Sequence, residues 1–309
     1  MLRPRATDPQ ATILAGLDRS ARMQGKSQMR RMKTRGGVIM SNYKLLVTDI
    51  DGTLVDSRQE VPDENRWALQ RLLASGALFT FATGRIEEST IPYARDLSAN
   101  APAILYNGAK IVDLERGETL FERNLPMDRA IAALEVASNF DVRTHVYIDG
   151  KVYVARIDSV VRDYAKKDRV DCIEVGDLVA FLRSGQTHVP PTKFLVIGEP
   201  QSLEILHREF QAVFPEGSLV ESDTCYLELL PPGVSKGAAL SVLCEILGLD
   251  LADTVAVGDN MNDVELIQAA GIGVAVENAH PYAREQAAFV APSNEKCGVA
   301  TVIRRFFGV

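Results

Sequence analysis

The sequence predicts an α/β fold in which a doubly wound parallel sheet is interrupted by an inserted α+β unit. Three observations carry this. Short apolar, β-favouring runs alternate with helical stretches over residues 44–106 and again over 235–290, the signature of a parallel sheet with crossover helices. Between them, over 127–230, the pattern changes to hairpins with interspersed helices. Several runs of the first kind end in Asp, Thr or Gly, at the strand ends where open α/β sheets bind their ligands. The expected division is therefore a core of 41–125 and 231–309, an insert of 126–230, and a basic, disordered leader of 1–40.

The elements follow in order. Residues 44–48 (KLLVT) read as a buried strand ending in Asp49-Ile50-Asp51-Gly52. Side chains two apart share a face of an extended chain, so the two carboxylates converge, and Gly52 lets the chain turn. A helix over 63–75 has Asp63 as its cap and Gly76 as its stop. A second strand, 78–82, ends in Thr83-Gly84-Arg85; a helix with Glu87 and Glu88 follows; a third parallel strand, 102–106, ends in Asn107-Gly108. In the insert, a helix over 127–140 precedes strands 144–148 and 151–156, joined by the hairpin signal Asp149-Gly150. Helices are expected at 159–167, 177–183 and 201–214, a strand at 193–197 and a hairpin over 218–230. Pro231-Pro232-Gly233 marks the return to the core. There a helix over 235–247, a strand over 254–257, a helix over 264–270 and strands at 273–276 and 289–290 are expected.

Composition narrows the function classes. The chain has 309 residues, 46% hydrophobic and 24% charged, enough to build a sizeable core. No apolar run approaches the roughly 20 residues of a membrane span, so no membrane partner is expected. Cys172, Cys225, Cys244 and Cys297 are scattered, which argues against a zinc site or disulfide framework and for reduced thiols in the cytoplasm. Residues 1–40 hold nine Lys/Arg against two Asp while the whole chain carries −7; the body is acidic, and a nucleic-acid partner is not expected for it. The leader, with a helix-compatible patch over 19–35, reads as a disordered arm, a transit segment, or a product of an early start codon. Met40-Ser41-Asn42 just before the first strand favours the last.

Four strand or helix ends then bring candidate chemistry to one crevice: Asp49 and Asp51; Thr83; Lys236 at the start of a helix; and Asp259 with Asp263. Two close carboxylates repel unless a cation lies between them or one keeps its proton. One can serve as a nucleophile and the other as a general acid and base. The set suits phosphoryl transfer, which needs a metal and donors to neutralise the phosphoryl oxygens. Singly, each part also reads as ordinary turn or cap chemistry; together they would require four coincidences in order. His145, His188, His207 and His280 show no ligand spacing, and Tyr147, Tyr153 and Tyr226 read as packing residues.

Asp49-Ile50-Asp51-Gly52-Thr53-Leu54, Thr83-Gly84-Arg85, Ser235-Lys236-Gly237 and Gly258-Asp259-Asn260-Met261-Asn262-Asp263 resemble, in order, the four motifs of the haloacid dehalogenase (HAD) superfamily. The long insert and the phrase Glu228-Leu229-Leu230-Pro231-Pro232-Gly233-Val234-Ser235-Lys236-Gly237 resemble its Cof-type branch, subfamily IIB, with a C2 cap on a Rossmann-like core. The resemblance implies an Asp49 nucleophile, Asp51 as acid and base, and Thr83 and Lys236 on the phosphoryl group. It implies Mg²⁺ held by Asp49, the Asp51 backbone carbonyl and Asp259, with Asp263 supporting the metal waters or Lys236. Asn262 would contact phosphate; Gly84, Arg85 and Asn107 lie beside it, touching substrate or bracing loops. Asp51 favours a phosphatase over a dehalogenase. The expected partner is a phosphorylated small molecule, and the expected state a monomer or homodimer; a phosphomutase and a phospho-acceptor binding module are the alternatives.

Overall fold

The structure is a computed structural model that describes residues 43–309 and the backbone of Lys33–Arg35 and Val38–Met40. Those two short strands pair antiparallel within the unit Met1–Met40. The rest of the leader, including most of the patch at 19–35, lies outside the described residues; its last three residues, Lys33–Arg35, are strand rather than helix.

The second unit, Ser41–Val309, is built on a five-stranded sheet in the order Phe289–Ala291, Ile272–Val276, Thr254–Gly258, Leu45–Thr48, Leu78–Phe81, parallel throughout. Leu45–Thr48 is buried along its whole length, as a strand covered on both faces must be. Its period of two divides it between layers. Leu46 packs with Leu69 and Leu72 of the helix Asp63–Ala74 and with Val299 and Val302 of Gly298–Phe307. Leu45 and Val47 pack with Leu240 and Leu243 of Lys236–Leu247 and with Leu266 of Val264–Ala269. The chain runs outward from Leu45–Thr48 to Leu78–Phe81, then returns beside Leu45–Thr48 at Thr254–Gly258 and runs outward the other way. The crevice at that reversal lies over Asp49.

The third parallel strand is corrected. Ala103–Leu105 touches the sheet through a single parallel bridge, Ala82 to Ile104. It otherwise forms an antiparallel sheet with Lys110–Asp113 and Glu118–Glu122, two strands that the sequence reading left out. Asn107-Gly108 is the turn between the first two, with Asn107 at φ 55° and Gly108 at φ 102°. A Cβ on Gly108 would fall 2.2 Å from the Ser235 carbonyl oxygen, so this turn packs directly on the start of the Lys236 helix.

The chain between forms a six-stranded sheet in the order Cys172–Glu174, Lys151–Val154, Arg143–Ile148, Lys193–Ile197, Tyr226–Leu230, Ser218–Asp223. Asp149 and Gly150 turn its first hairpin at φ 49° and 73°, as that dipeptide favours. Val146, Phe194, Val196, Leu227 and Leu229 pack on helices Met127–Ala137, Leu178–Arg183 and Pro200–Val213; burying Phe194 alone is worth about 2–3 kcal/mol. Their alternates, His145, Tyr147, Lys193, Leu195 and Glu228, occupy the other face. Among the described residues no helix is long and apolar enough to cross a membrane.

Candidate active site

Asp49 ends Leu45–Thr48, where its N–H donates to the Val257 carbonyl at 2.9 Å. Its carboxylate turns inward. Lys236 Nζ donates to Asp49 Oδ1 at 2.9 Å and to Asp263 Oδ1 at 2.6 Å, and the lysine side chain is wholly buried. Ser235 caps the lysine's helix by accepting from Ala238 N. The other Asp263 oxygen accepts from the backbone N–H groups of Asp259 and Asn260 at 2.9 and 3.0 Å. Asp263 therefore braces both the lysine and the turn. Asp259 accepts from Thr53 Oγ1 at 2.8 Å. Gly52, at φ 73°, lies so near that a Cβ there would come 2.4 Å from Asp259 Oδ2; any side chain would strain the turn and push Asp259 aside.

The electrostatics are crowded. Burial pushes the Asp49 carboxyl well above the usual carboxylate range against the pull of Lys236, with Asp263, Asp259 and Asp51 adding to the rise. Burial and the charge of Asp263 push Asp259 up to about 7. Burial would lower the Lys236 ammonium, but Asp263 and Asp49 outweigh it and hold it protonated. One lysine does not neutralise three close carboxylates, and carboxylate oxygens of Asp49, Asp259 and Asp263 lie within 4.8 Å of one another. This all-oxygen, cation-deficient donor set fits a hard divalent ion.

Asp51 points elsewhere. Arg85 grips it with Nε to Oδ2 and Nη2 to Oδ1, both at 2.7 Å, and Nη2 also donates to Gln59 Oε1 at 2.7 Å. Burial raises the Asp51 pKa, but this fork outweighs it and the net direction is down. Arg85, expected beside the substrate, thus has its guanidinium on the acid–base candidate, while its Nη1 is buried without a hydrogen-bond partner among the described residues. Both carboxylate oxygens of Asp51 are in that fork, which leaves its backbone carbonyl, the atom expected to meet the metal, outside it. Thr83 faces the cavity, and its hydroxyl accepts from Arg85 N at 3.2 Å. Asn107 is buried and accepts from Asn262 Nδ2 at 3.0 Å; it steadies Asn262 rather than lining the cavity. Gly84 and Asn262 do line it.

Above these groups opens a cavity of about 580 Å³ between the strand ends and the six-stranded sheet. Its far wall holds residues the sequence reading did not select: Tyr164, Lys167, Asp168, Lys193 and Glu228. Tyr226, expected in packing, lines it too, under Lys167 Nζ at 4.8 Å. Tyr153 does pack, on the Phe181 ring. No local spacing marks the wall residues, because three separate elements supply them.

A parallel α/β sheet with a buried carboxylate–lysine centre under a second sheet defines an enzyme of the hydrolase class. The haloacid dehalogenase-like hydrolase family matches residues 46–303. The chain is 29% identical over 281 residues to the 5-amino-6-(5-phospho-D-ribitylamino)uracil phosphatase of Bacillus subtilis strain 168, covering 84% of this chain and 96% of that one. It is 31% identical over 255 residues to the HMP-PP phosphatase of Serratia proteamaculans strain 568, covering 77% and 85%. The crystal structure of a haloacid dehalogenase-like hydrolase from Bacteroides thetaiotaomicron superposes with a TM-score of 0.77 at 29% identity, over 86% of this chain and 100% of that one. This chain belongs to the haloacid dehalogenase-like hydrolases. It is an enzyme of that family, and the two curated relatives are phosphatases.

Proposed function

We propose that the chain hydrolyses phosphate monoesters of small metabolites with Mg²⁺, through a phosphoryl group carried on Asp49. The observation that carries this is the buried Asp49, tied to Lys236 at 2.9 Å beside the Asp259–Asp263 turn and opening into the cavity with Thr83 and Asp51. Asp49 and Asp259, with the Asp51 backbone carbonyl, would hold the ion; it supplies positive charge that lets one anion attack another. The stretch 126–230 acts as a cap over a core made of 41–125 and 231–309.

In the first step an Asp49 oxygen bonds to phosphorus and the bond from phosphorus to the leaving oxygen breaks. Asp51 gives that oxygen its proton. Lys236 and Thr83 stabilise the charge on the transferring group. In the second step Asp51 takes a proton from water, the water oxygen bonds to phosphorus, and the acyl phosphate bond breaks to release phosphate and free Asp49. The Arg85 fork lowers the Asp51 pKa and so favours the carboxylate, the form the second step requires. For the first step the carboxyl must leave the fork to carry its proton. The cavity, about 580 Å³ and lined by both acidic and basic side chains, suits a polar metabolite.

The test is phosphate release from a panel of phosphorylated sugars, nucleotides, flavin and pyridoxal phosphates and the named relatives' substrates, with Mg²⁺ and with a chelator. Metal-dependent release from at least one compound is expected. Folded, Mg²⁺-loaded protein that releases nothing from any of them would overturn the reading.

A further inference from the structure

One ammonium joins the six-stranded sheet to the turn that carries Thr83. Lys193 opens the strand Lys193–Ile197, and its side chain is 4% exposed. Nζ donates to the Gly84 carbonyl at 2.9 Å and to Glu228 Oε2 at 2.5 Å, and it lies 4.7 Å from the centroid of the Tyr147 ring. The sheet register explains the assembly. Lys193 stands opposite Tyr147 on one neighbouring strand, and Glu228 stands opposite Leu195 on the other. These residues share one face, so three adjacent strands aim a single cation out of the sheet.

The target of that cation matters. Gly84 lies between Thr83 and Arg85. Arg85 holds Asp51, and Thr83 faces the cavity. A second seam runs parallel to it: Asn260 Nδ2 donates to the Ser222 carbonyl at 2.9 Å, binding the Asp259–Asp263 turn to the end of Ser218–Asp223 in the same sheet.

A buried ion pair is a poor way to gain stability alone, since a well-packed apolar pair often does as well. What an apolar pair cannot do is hold a carbonyl of another segment at hydrogen-bond distance. With two oxygen acceptors and a ring face around it, the ammonium has no direction left for substrate. We propose that Lys193, held by Glu228, is a positioning residue for the reaction: it fixes the Gly84 carbonyl and through it the Thr83 hydroxyl and the Arg85 fork. The phosphate-binding turn is then fully formed only with the six-stranded sheet seated on it. This rests on the phosphatase reading above.

The test uses the full chain, loaded with metal. Lys193→Met alone would strand a buried Glu228, so the informative variant is the double change Lys193→Met with Glu228→Leu, which removes both charges together. Its melting temperature is expected to stay within a few degrees of wild type. Its kcat is expected to fall about 10–100-fold, the usual result of moving a reacting group by an ångström, with KM nearly unchanged. Inhibition by orthovanadate, which occupies the phosphoryl position, should weaken by a similar factor. Glu228→Gln, which keeps an acceptor for the ammonium, is the gentler change and should shift the same two constants in the same direction by less. An active wild type with folded variants of unchanged kcat and vanadate affinity overturns the positioning role. A wild type silent on every substrate instead fails the phosphatase reading.

Discussion

On the parallel-sheet side of the cavity, Asp49, Lys236 and Asp263 are buried and tied to one another; across it, Lys167 and Asp223 form a loose pair at 3.5 Å with side chains 48% and 40% exposed. The first arrangement is fixed before any ligand arrives. The second is solvated and free to rearrange. Preorganised charge in a dry site is what chemistry requires, whereas solvated polar groups on a wall suit the discrimination of leaving groups. Apart from the buried Lys193–Glu228 pair, which reaches across to the Gly84 turn, the two sides thus divide reaction from recognition, and substitutions in the buried centre and on the solvated wall should differ in which kinetic constant they move.

The largest effect should come from Asp49→Asn, which removes the attacking oxygen's charge while keeping its shape. Phosphate release should fall by about a thousandfold or more; activity within tenfold of wild type would break the assignment of chemistry to this side. Next is Gly258→Ala. A Cβ there would lie 2.4 Å from the Asp263 Cβ, so Asp263 must shift and take Lys236 with it. We expect a stability loss of about 1–3 kcal/mol by urea unfolding, with kcat falling more than KM changes.

Across the cavity, Lys167→Met should act on KM. The lysine is half-exposed beside Asp223 and lines the cavity; a solvated charge contact from it to an anionic substrate would be worth about 1 kcal/mol, so roughly a fivefold rise in KM is expected with kcat held. A fall in kcat with unchanged KM would mean that the division is misdrawn.

The smallest effect at neutral pH is that of His145, buried against the Tyr164 ring. Burial pushes its imidazole down to about 4 from the ordinary 6.5. Between those values the unfolded chain binds more protons than the folded one. Stability is therefore complete above pH 6.5 and declines as pH falls toward 4, by about 3 kcal/mol in all. His145→Phe should flatten that part of the pH–stability curve, read from urea midpoints; an unchanged slope would remove the histidine from the account.

The same division governed what could be read from the sequence. The strands Leu45–Thr48, Leu78–Phe81 and Thr254–Gly258 announce themselves because burial on both faces demands continuous apolar runs. The groups at their ends are legible because a turn fixes each one locally. Ala103–Leu105 was misplaced because an apolar triplet carries no information about its neighbour, and Glu118–Glu122 was missed because it is largely exposed. The helix Gly298–Phe307 went unread although Val299, Val302, Ile303 and Phe306 have helical spacing. Lys193 and Glu228 meet across 35 residues, and the Arg85 fork reaches back to Asp51 across 34. Such pairs depend on strand register and on how one element sits over another, which no local pattern encodes.

The Arg123 side chain donates through Nη1 to the Pro232 carbonyl at 3.2 Å, so the chain leaves for the second sheet and comes back within one side chain's reach. The chain between Arg123 and Pro232 therefore enters the rest of the molecule as though it were a short surface turn. Closing such a detour costs little more entropy for a long insert than for a brief one. The chain path is thereby modular at this seam: an unrelated folded unit whose two ends lie equally close together would meet the same covalent boundary condition, but it would forfeit the Lys193–Gly84 and Asn260–Ser222 contacts.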